Sequence, residues 1–333
     1  MSATSQPTTF SDLYTDLENR VRAATSVTAT ENQAKRYINT ALQDMHLGNG
    51  EKFWWAHRDT VLRLRPSYTT GTVTVTKGST TVTGSSTLWA TADAFSVNNA
   101  RAGGKMKFGR AETYGVSSVA TDTSMTLTTA YIGATESDVS YTYFEDEYAL
   151  ASDFLRPLDY ELFSSELEIP LIGRREFRRL FVRNSAPGEP RVATLIELGP
   201  SGSAALRRRV RFYPPSSTDY LVPYGYITNL LAYSSAGTGA TALDGDTDEP
   251  IVPLPYRHAI VLHALANWYR DKKDDNRAQA ARAEYVDLIN RMTGDVEIGA
   301  SRPRITPRVS SYRVRAWPRS RRFTVGTAFD QVR

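Results

Sequence analysis

From Gly71 to about Tyr143 the helix-forming residues nearly vanish, and this stretch constrains the fold more than any other. The run GTVTVTKGSTTVTGSSTLW is almost all Thr, Val, Ser and Gly. It alternates with a period of two about a Lys77-Gly78 turn, which predicts β-hairpins with one polar face. Further strands are expected at Lys105 to Phe108, Tyr114 to Val119, Met125 to Leu127 and Val139 to Phe144, at the short regular spacing of a small barrel or sandwich. Helical patterns lie on both sides, so the stretch reads as an insertion.

Before it, Phe10, Leu13, Tyr14, Leu17 and Val21 recur at helical spacing and predict an amphipathic helix of about four turns. Thr30 and Gln33 have the form of a capping box for a second helix, whose apolar face is Ala34, Ile38, Ala41, Leu42 and Met45 and whose expected stop is Gly48. Phe53, Trp54 and Trp55 lead into a strand over Val61 to Arg65. After the insertion, strands are expected at Phe177 to Arg183, Val192 to Leu198, Leu206 to Tyr213 and Ile227 to Tyr233. Tyr256 to Arg270 is apolar nearly all round, and Ala278, Ala281, Tyr285, Leu288, Ile289 and Met292 continue a helical period across the charged break DKKDD. This predicts a buried helix paired with a surface helix.

The expected class is α+β, a helical bundle of the first helices and the last helix pair with an inserted small β barrel or sandwich, a second β region and an extended C-terminal arm. The expected boundaries are 8–67 for the first helices and strand, 68–144 for the β module and 145–255 for the β-rich part of the core. The helix pair occupies 256–295 and the arm 296–333.

Charge separates the arm from the body. The 333 residues carry a formal net charge of +4, but Ser301 to Arg333 hold nine arginines, one acid (Asp330) and no lysine, a net of +8. The preceding 300 residues hold 31 basic and 35 acidic groups and stand at −4. The arm has three prolines and scattered apolar residues, too few for a core of its own, so it is expected to be ordered only by a partner. Its Arg302, Arg304, Arg308, Arg313, Arg315, Trp317, Arg319, Arg321, Arg322 and Phe323 mix cations with large apolar anchors, the composition of an interface hot spot.

Other chemistry is sparse. Without cysteine, disulfides and thiolate metal or redox chemistry are excluded. Mean hydropathy is −0.40, and the longest apolar run, around Ala259 to Leu265, falls short of the ~20 residues that cross a bilayer. No secretory signal is visible at the start. Asp244-Gly245-Asp246-Thr247-Asp248 opens like a calcium loop, but Glu249 stands where Gly is needed and Pro255 where a bidentate Glu belongs; an ordinary acidic loop is expected. His258 and His263, five apart, fall on different helix faces and read as packing residues; His46 and His57 have no catalytic partner at a recognisable spacing. No nucleophile elbow, phosphate loop or zincin motif occurs, so neither an enzyme nor a cofactor is expected. Asp122, Glu136 and Asp138 are the only carboxylates behind a hydrolase reading, which is set aside.

Arg207, Arg209 and Arg211 share one face of a predicted strand. This row suits phosphates or a carboxylate-lined partner, or else pairs with nearby acids; both readings stay open. Two alternative functions follow from such features. One is a nucleic-acid-binding module built on these arginines and the arm, and the other a glycan- or receptor-binding tail component using the β module with Trp89 and Tyr114.

Several stretches together resemble the head-to-tail adaptor, or connector, proteins of tailed bacteriophages, of the podophage tail tubular type. They are FSDLYTDLENRVR, ENQAKRYINTALQDM, FWWAHRD with VLRLRP, EYALASDFLRPLD and DEPIVPLPYRHAIVLHALANWYRDKKDD, in that order over most of residues 10 to 295. The inserted GTVTVTKGSTTVTGSSTLWATA, with TDTSMTLTTAYIGAT downstream, resembles a small β module of phage neck and tail proteins. The resemblance implies a structural virion protein in the neck between capsid and tail, assembled in the host cytoplasm as a ring, usually twelvefold. It would bind the portal protein above and a tail or nozzle protein below, with DNA passing through the bore during ejection without sequence-specific binding and with no membrane contact. The arm would then grip the portal or wrap a neighbouring subunit.

Overall fold

The computed structural model describes residues 6–21, 28–109, 112–158, 161–163, 168–180, 187–197 and 208–299. The first apolar stripe becomes α1 (Phe10–Val21) and buries Phe10, Leu13, Tyr14 and Leu17. The second becomes α2 (Thr28–Asn49), with Ala34, Ile38, Ala41 and Leu42 fully buried. It begins ahead of the expected capping box and passes through Gly48, whose backbone stays out of the left-handed region that would end a helix. The turn comes instead at Gly50–Lys52, a single 3₁₀ turn. β1 (His57–Leu64) then starts four residues earlier than the alternation indicated.

The Thr-rich stretch forms β2 (Thr72–Val75), β3 (Thr81–Ser85), β4 (Lys105–Phe108), β5 (Thr113–Thr121), β6 (Ser124–Leu127), β7 (Glu136–Val139) and β8 (Tyr141–Phe144). Their order in one curled antiparallel sheet, a half-barrel, is β7-β2-β3-β6-β5-β4-β8. At the β2–β3 turn Gly78 has φ +79°, which a side chain would disfavour. Val139 to Phe144 is two strands rather than one. Asp138 takes φ 57°, and the chain leaves β2 at one edge to join β4 at the other, so consecutive strands hold the two rims of the sheet. Alternate residues point inward onto a core of Val73, Val75, Val82, Trp89, Met106, Phe108, Met125 and Tyr143.

Beyond it lie β9 (Glu147–Ala149), β10 (Phe154–Pro157), β11 (Glu161–Phe163), β12 (Glu168–Pro170), α3 (Arg174–Leu180), β13 (Val192–Glu197), β14 (Arg208–Tyr213) and β15 (Tyr220–Thr228). Two three-stranded sheets, β1-β15-β10 and β13-β14-β9, share a second core through Leu64, Val222, Tyr224 and Tyr226 from the first and Tyr148, Ala193, Val210 and Phe212 from the second. Two strand expectations are corrected here. Phe177 lies in α3, where it is buried and packs edge-on to Tyr213; residues 181–183 lie outside the described residues. Ile227 to Tyr233 is not continuous, because β15 ends at Thr228 and the chain resumes as β16 (Ala232–Tyr233), which pairs with β17 (Gly239–Ala240) and β18 (Glu249–Pro250). Thr228 closes β15 by donating its hydroxyl to Asp153 and accepting the Leu230 N–H.

α4 (His258–Asp271) and α5 (Asp275–Gly299) follow, separated by a turn in which Lys273 takes φ 61°. α4 is buried nearly all round. It packs on α1, α2 and α5 over a third core that also takes in Phe53, Trp55, Ile227, Ile251 and Val252. The architecture is α+β, with the two ends of the described chain in one core. Among the described residues no helix is long and apolar enough to cross a membrane.

Candidate functional site

The acidic loop is the simplest place to see what local charge does. The backbone carbonyls of Asp246 and Asp248 accept the N–H groups of Ser11 (3.0 Å) and Phe10 (2.8 Å), filling donors that the first turn of α1 leaves open. The Asp248 carboxylate turns inward to take the N–H groups of Asp244 (2.9 Å) and Gly245 (2.8 Å), and Asp246 pairs with Lys35 at 2.7 Å. The loop clamps the start of α1 to a segment more than 230 residues later in the chain. On the other side of that turn, Asp12 accepts from the Thr8 and Thr9 N–H groups. Burial raises its pKa, but the bonds from Thr8 and Thr9 outweigh this and hold it below the ordinary carboxylate value.

His46 and His263 are packing groups, and His258 lies among charges. His46 Nε2 meets the Thr228 carbonyl oxygen at 2.6 Å, and burial lowers its pKa. His263 stacks on Tyr285 with ring centroids 4.6 Å apart and meets Asp44 at 3.3 Å. Burial also lowers the pKa of His258, which sits between Arg20 and Asp16.

The densest cluster of charge joins the β module to the two-sheet core. Glu145 and Asp146 occupy the short link between β8 and β9 and are buried. Glu145 accepts Arg101 through both oxygens at 2.9 and 2.5 Å, Arg65 at 3.3 Å and the Tyr143 hydroxyl at 2.9 Å. Burial would raise its pKa; the bond and charge of Arg101, with the charge of Arg65, outweigh burial and keep it below the ordinary glutamate value. Lys105 of β4 donates to Asp146 at 2.7 Å and Glu147 at 3.0 Å. Burial and the neighbouring Glu145 push the Tyr143 hydroxyl well above its usual range. Gly104 makes room for that ring, since a Cβ there would stand 2.2 Å from the Tyr143 oxygen.

The arginine strand belongs to this cluster. Arg211 donates to Asp146 at 2.8 Å, and Arg209 lies 3.8 Å from Glu147. Glu147, raised by burial, is brought below its ordinary value by Lys105, Arg211 and Arg209. For Arg209 and Arg211 the structure therefore shows pairing with local acids. Arg207 and all ten named residues of the arm lie outside the described residues. Sequence reasoning missed Arg65, Arg101, Glu145 and Asp146, which are spread over three separate stretches; the nearest signal was the E-D-E run at 145–147.

Trp89 and Tyr114 are buried in the module core, with the Trp89 indole donating to Tyr141 at 2.9 Å. They offer no exposed ring for a sugar to stack on. The large apolar side chains that the module exposes are Leu88, Phe95 and Ile132. Asp122 is occupied by the Thr91 N–H (2.7 Å) and hydroxyl (3.0 Å). Among the described residues no three His, Asp or Glu side chains converge to hold a metal ion.

No protein-family model matches the chain, and no curated protein matches its sequence.

Proposed function

We propose that this chain is a structural virion protein, a head-to-tail adaptor that forms a ring, binds the portal and links capsid to tail around a DNA channel. The supporting observation is the arrangement of the two ends of the described chain: α1 and α2 share one apolar core with α4 and α5, while the β module leaves and re-enters at the head of the β-rich core. On this reading the helices are the ring-forming bundle, and its interface is heterologous, so that a closed rotation ends growth. The role is non-catalytic and needs no cofactor. The arm from Ser301 onward anchors the ring, with its arginines and Trp317 as contacts. The mildly acidic body suits a bore through which DNA must slide, because tight phosphate binding would slow ejection.

Electron microscopy and mass measurement, on full-length protein and on a chain ending at Ala300, each alone and with candidate portal rings, test this. Rings that form or stack on a portal only when the arm is present are the expected result. Monomers that ignore the portal in both cases would sink the proposal.

A further inference from the structure

β1 is an edge strand. Among the described residues it pairs with β15 alone, over all eight of its residues, so on its other side the backbone N–H and C=O groups of Asp59, Val61 and Arg63 have no strand partner among the described residues, whereas those of His57 bond Trp54 and Arg58. The outward face beside that edge exposes apolar groups among charged ones. Leu62 and Leu64 turn toward the two-sheet core, which puts Asp59, Val61 and Arg63 on the opposite face. The cross-strand partners of Val61 and Arg63 are Pro223 and Leu221, and Val61 and Leu221 keep 57% and 60% of their surface exposed.

The β module extends this face. Phe95, in the loop between β3 and β4, is 62% exposed and lies with its ring centroid 3.6 Å from the Arg63 guanidinium. Its loop is tied down: Asp93 accepts the Phe95 and Val97 N–H groups at 2.9 and 3.0 Å and pairs with Arg63 and Arg65. Phe95, Arg63, Leu221 and Val61 thus set an aromatic ring, a guanidinium and two aliphatic groups beside an open strand edge. Interface energy concentrates in such groups, and natural sheets shield an apolar edge of this length.

An extended segment with a period of two would fit, and the sequence contains a run with that period. Tyr312, Val314 and Ala316 alternate with Arg313, Arg315 and Trp317, and Pro318 closes the run. The nine residues from Val309 to Trp317 are enough to span the eight of β1. The receiving surface holds exposed acid in Asp59 and in Asp219, whose side chain is 44% exposed beside Arg63, which complements Arg313 and Arg315. The ten residue steps from Gly299 to Val309 reach up to about 35 Å.

We propose that residues 309–317 of one copy add as a strand to the open edge of β1 in the next copy, against Val61, Leu221 and Phe95. This rests on the ring reading and assigns the arm a partner within the ring: it is the lock between neighbouring subunits.

The absence of cysteine makes the test direct. Two full-length variants, Asp59→Cys and Arg313→Cys, are mixed and treated with a short bismaleimide, with Lys77→Cys, at the β2–β3 turn, replacing Asp59→Cys as control. The expected result is a product of twice the chain mass whose peptides join positions 59 and 313, with none from the control. Adding Val61→Lys and Leu221→Lys to the Asp59→Cys chain should cut the yield at least tenfold while leaving its thermal unfolding unchanged. Absence of the 59–313 product overturns the proposal, as does a product that survives the two lysines. Linkage only within one chain of a diluted Asp59→Cys, Arg313→Cys double variant also overturns it. Microscopy of the same samples separates the two readings. Rings without the link defeat this docking alone, whereas the link without rings keeps the docking and defeats the ring.

Discussion

The β module and the helical unit bury their apolar residues in opposite ways. The module's core, from Val73 to Tyr143, comes from one contiguous stretch in which the partners of each strand lie within about seventy residues. The helical core joins Phe10, Leu13 and Leu42 to Ile260, Val261 and Met292, more than 200 residues away. A local core can fold as a unit and be inserted without help from its host. A core assembled from both ends of the chain closes only once everything between has been placed. The charged cluster at Glu145 and Asp146 is where these two kinds of construction meet, and substitutions there and in each core can separate them.

The largest expected effect is Trp89→Ala. It empties a fully buried indole site and removes the bond that the Tyr141 hydroxyl accepts, leaving its donation to the Thr70 carbonyl, at a cost of about 3–5 kcal/mol. Hydrogen exchange should show module amides exchanging faster while those of α2 and α4 hold; equal loosening of both would mean that they are one cooperative unit. Leu42→Ala, in the helical core, should cost about 2–5 kcal/mol with the reverse pattern.

Glu145→Gln should cost about 1–3 kcal/mol, because Arg101 and Arg65 lose the charge of a buried carboxylate while Arg65 keeps Asp93, and should split a single calorimetric transition into two. The sign of its pH dependence follows from a folded pKa below the unfolded value near 4.5. The contribution of Glu145 is fully present above that unfolded value and is lost as pH falls through the lower folded one. The wild-type chain should therefore lose module–core coupling only in the acid range below about pH 4.5, and Glu145→Gln should flatten that limb in urea titrations run from pH 7 downward. Gly104→Ala should cost about 1–3 kcal/mol by pressing on Tyr143, and Tyr143→Phe should not restore it, because two ring carbons would still stand 2.4 Å from the new Cβ. The smallest effect belongs to Lys35→Ala. It removes partly exposed pairs with Glu31 and Asp246, worth under about 1 kcal/mol, and its signature is faster exchange confined to the start of α1.

Legibility follows the same division. Phe10, Leu13, Tyr14 and Leu17 announce α1 because an amphipathic helix writes its period into nearby residues, and the Thr-Val alternation does the same for β2 and β3. Phe177 misled because a seven-residue amphipathic helix has too few turns to display its period, so FRRLFV reads as alternation. Val139 to Phe144 misled because an alternating run cannot reveal that its two halves pair with opposite rims of a sheet. Arg209 and Arg211 were visible as a row of cations, yet their partners Asp146 and Glu147 lie some sixty residues away, and no spacing rule links them.

Period, turn chemistry and composition are properties of neighbouring residues, so the chain's order alone determined the helices at both ends, the β character of residues 71 to 143 and the separation of a basic arm from a mildly acidic body. Which residues share a core, which acids take the arginines and which strand edge stays open depend on groups far apart in the chain. Those were decided only when packing brought them together, because burial free energy and ion pairing act through space and leave no period in the sequence.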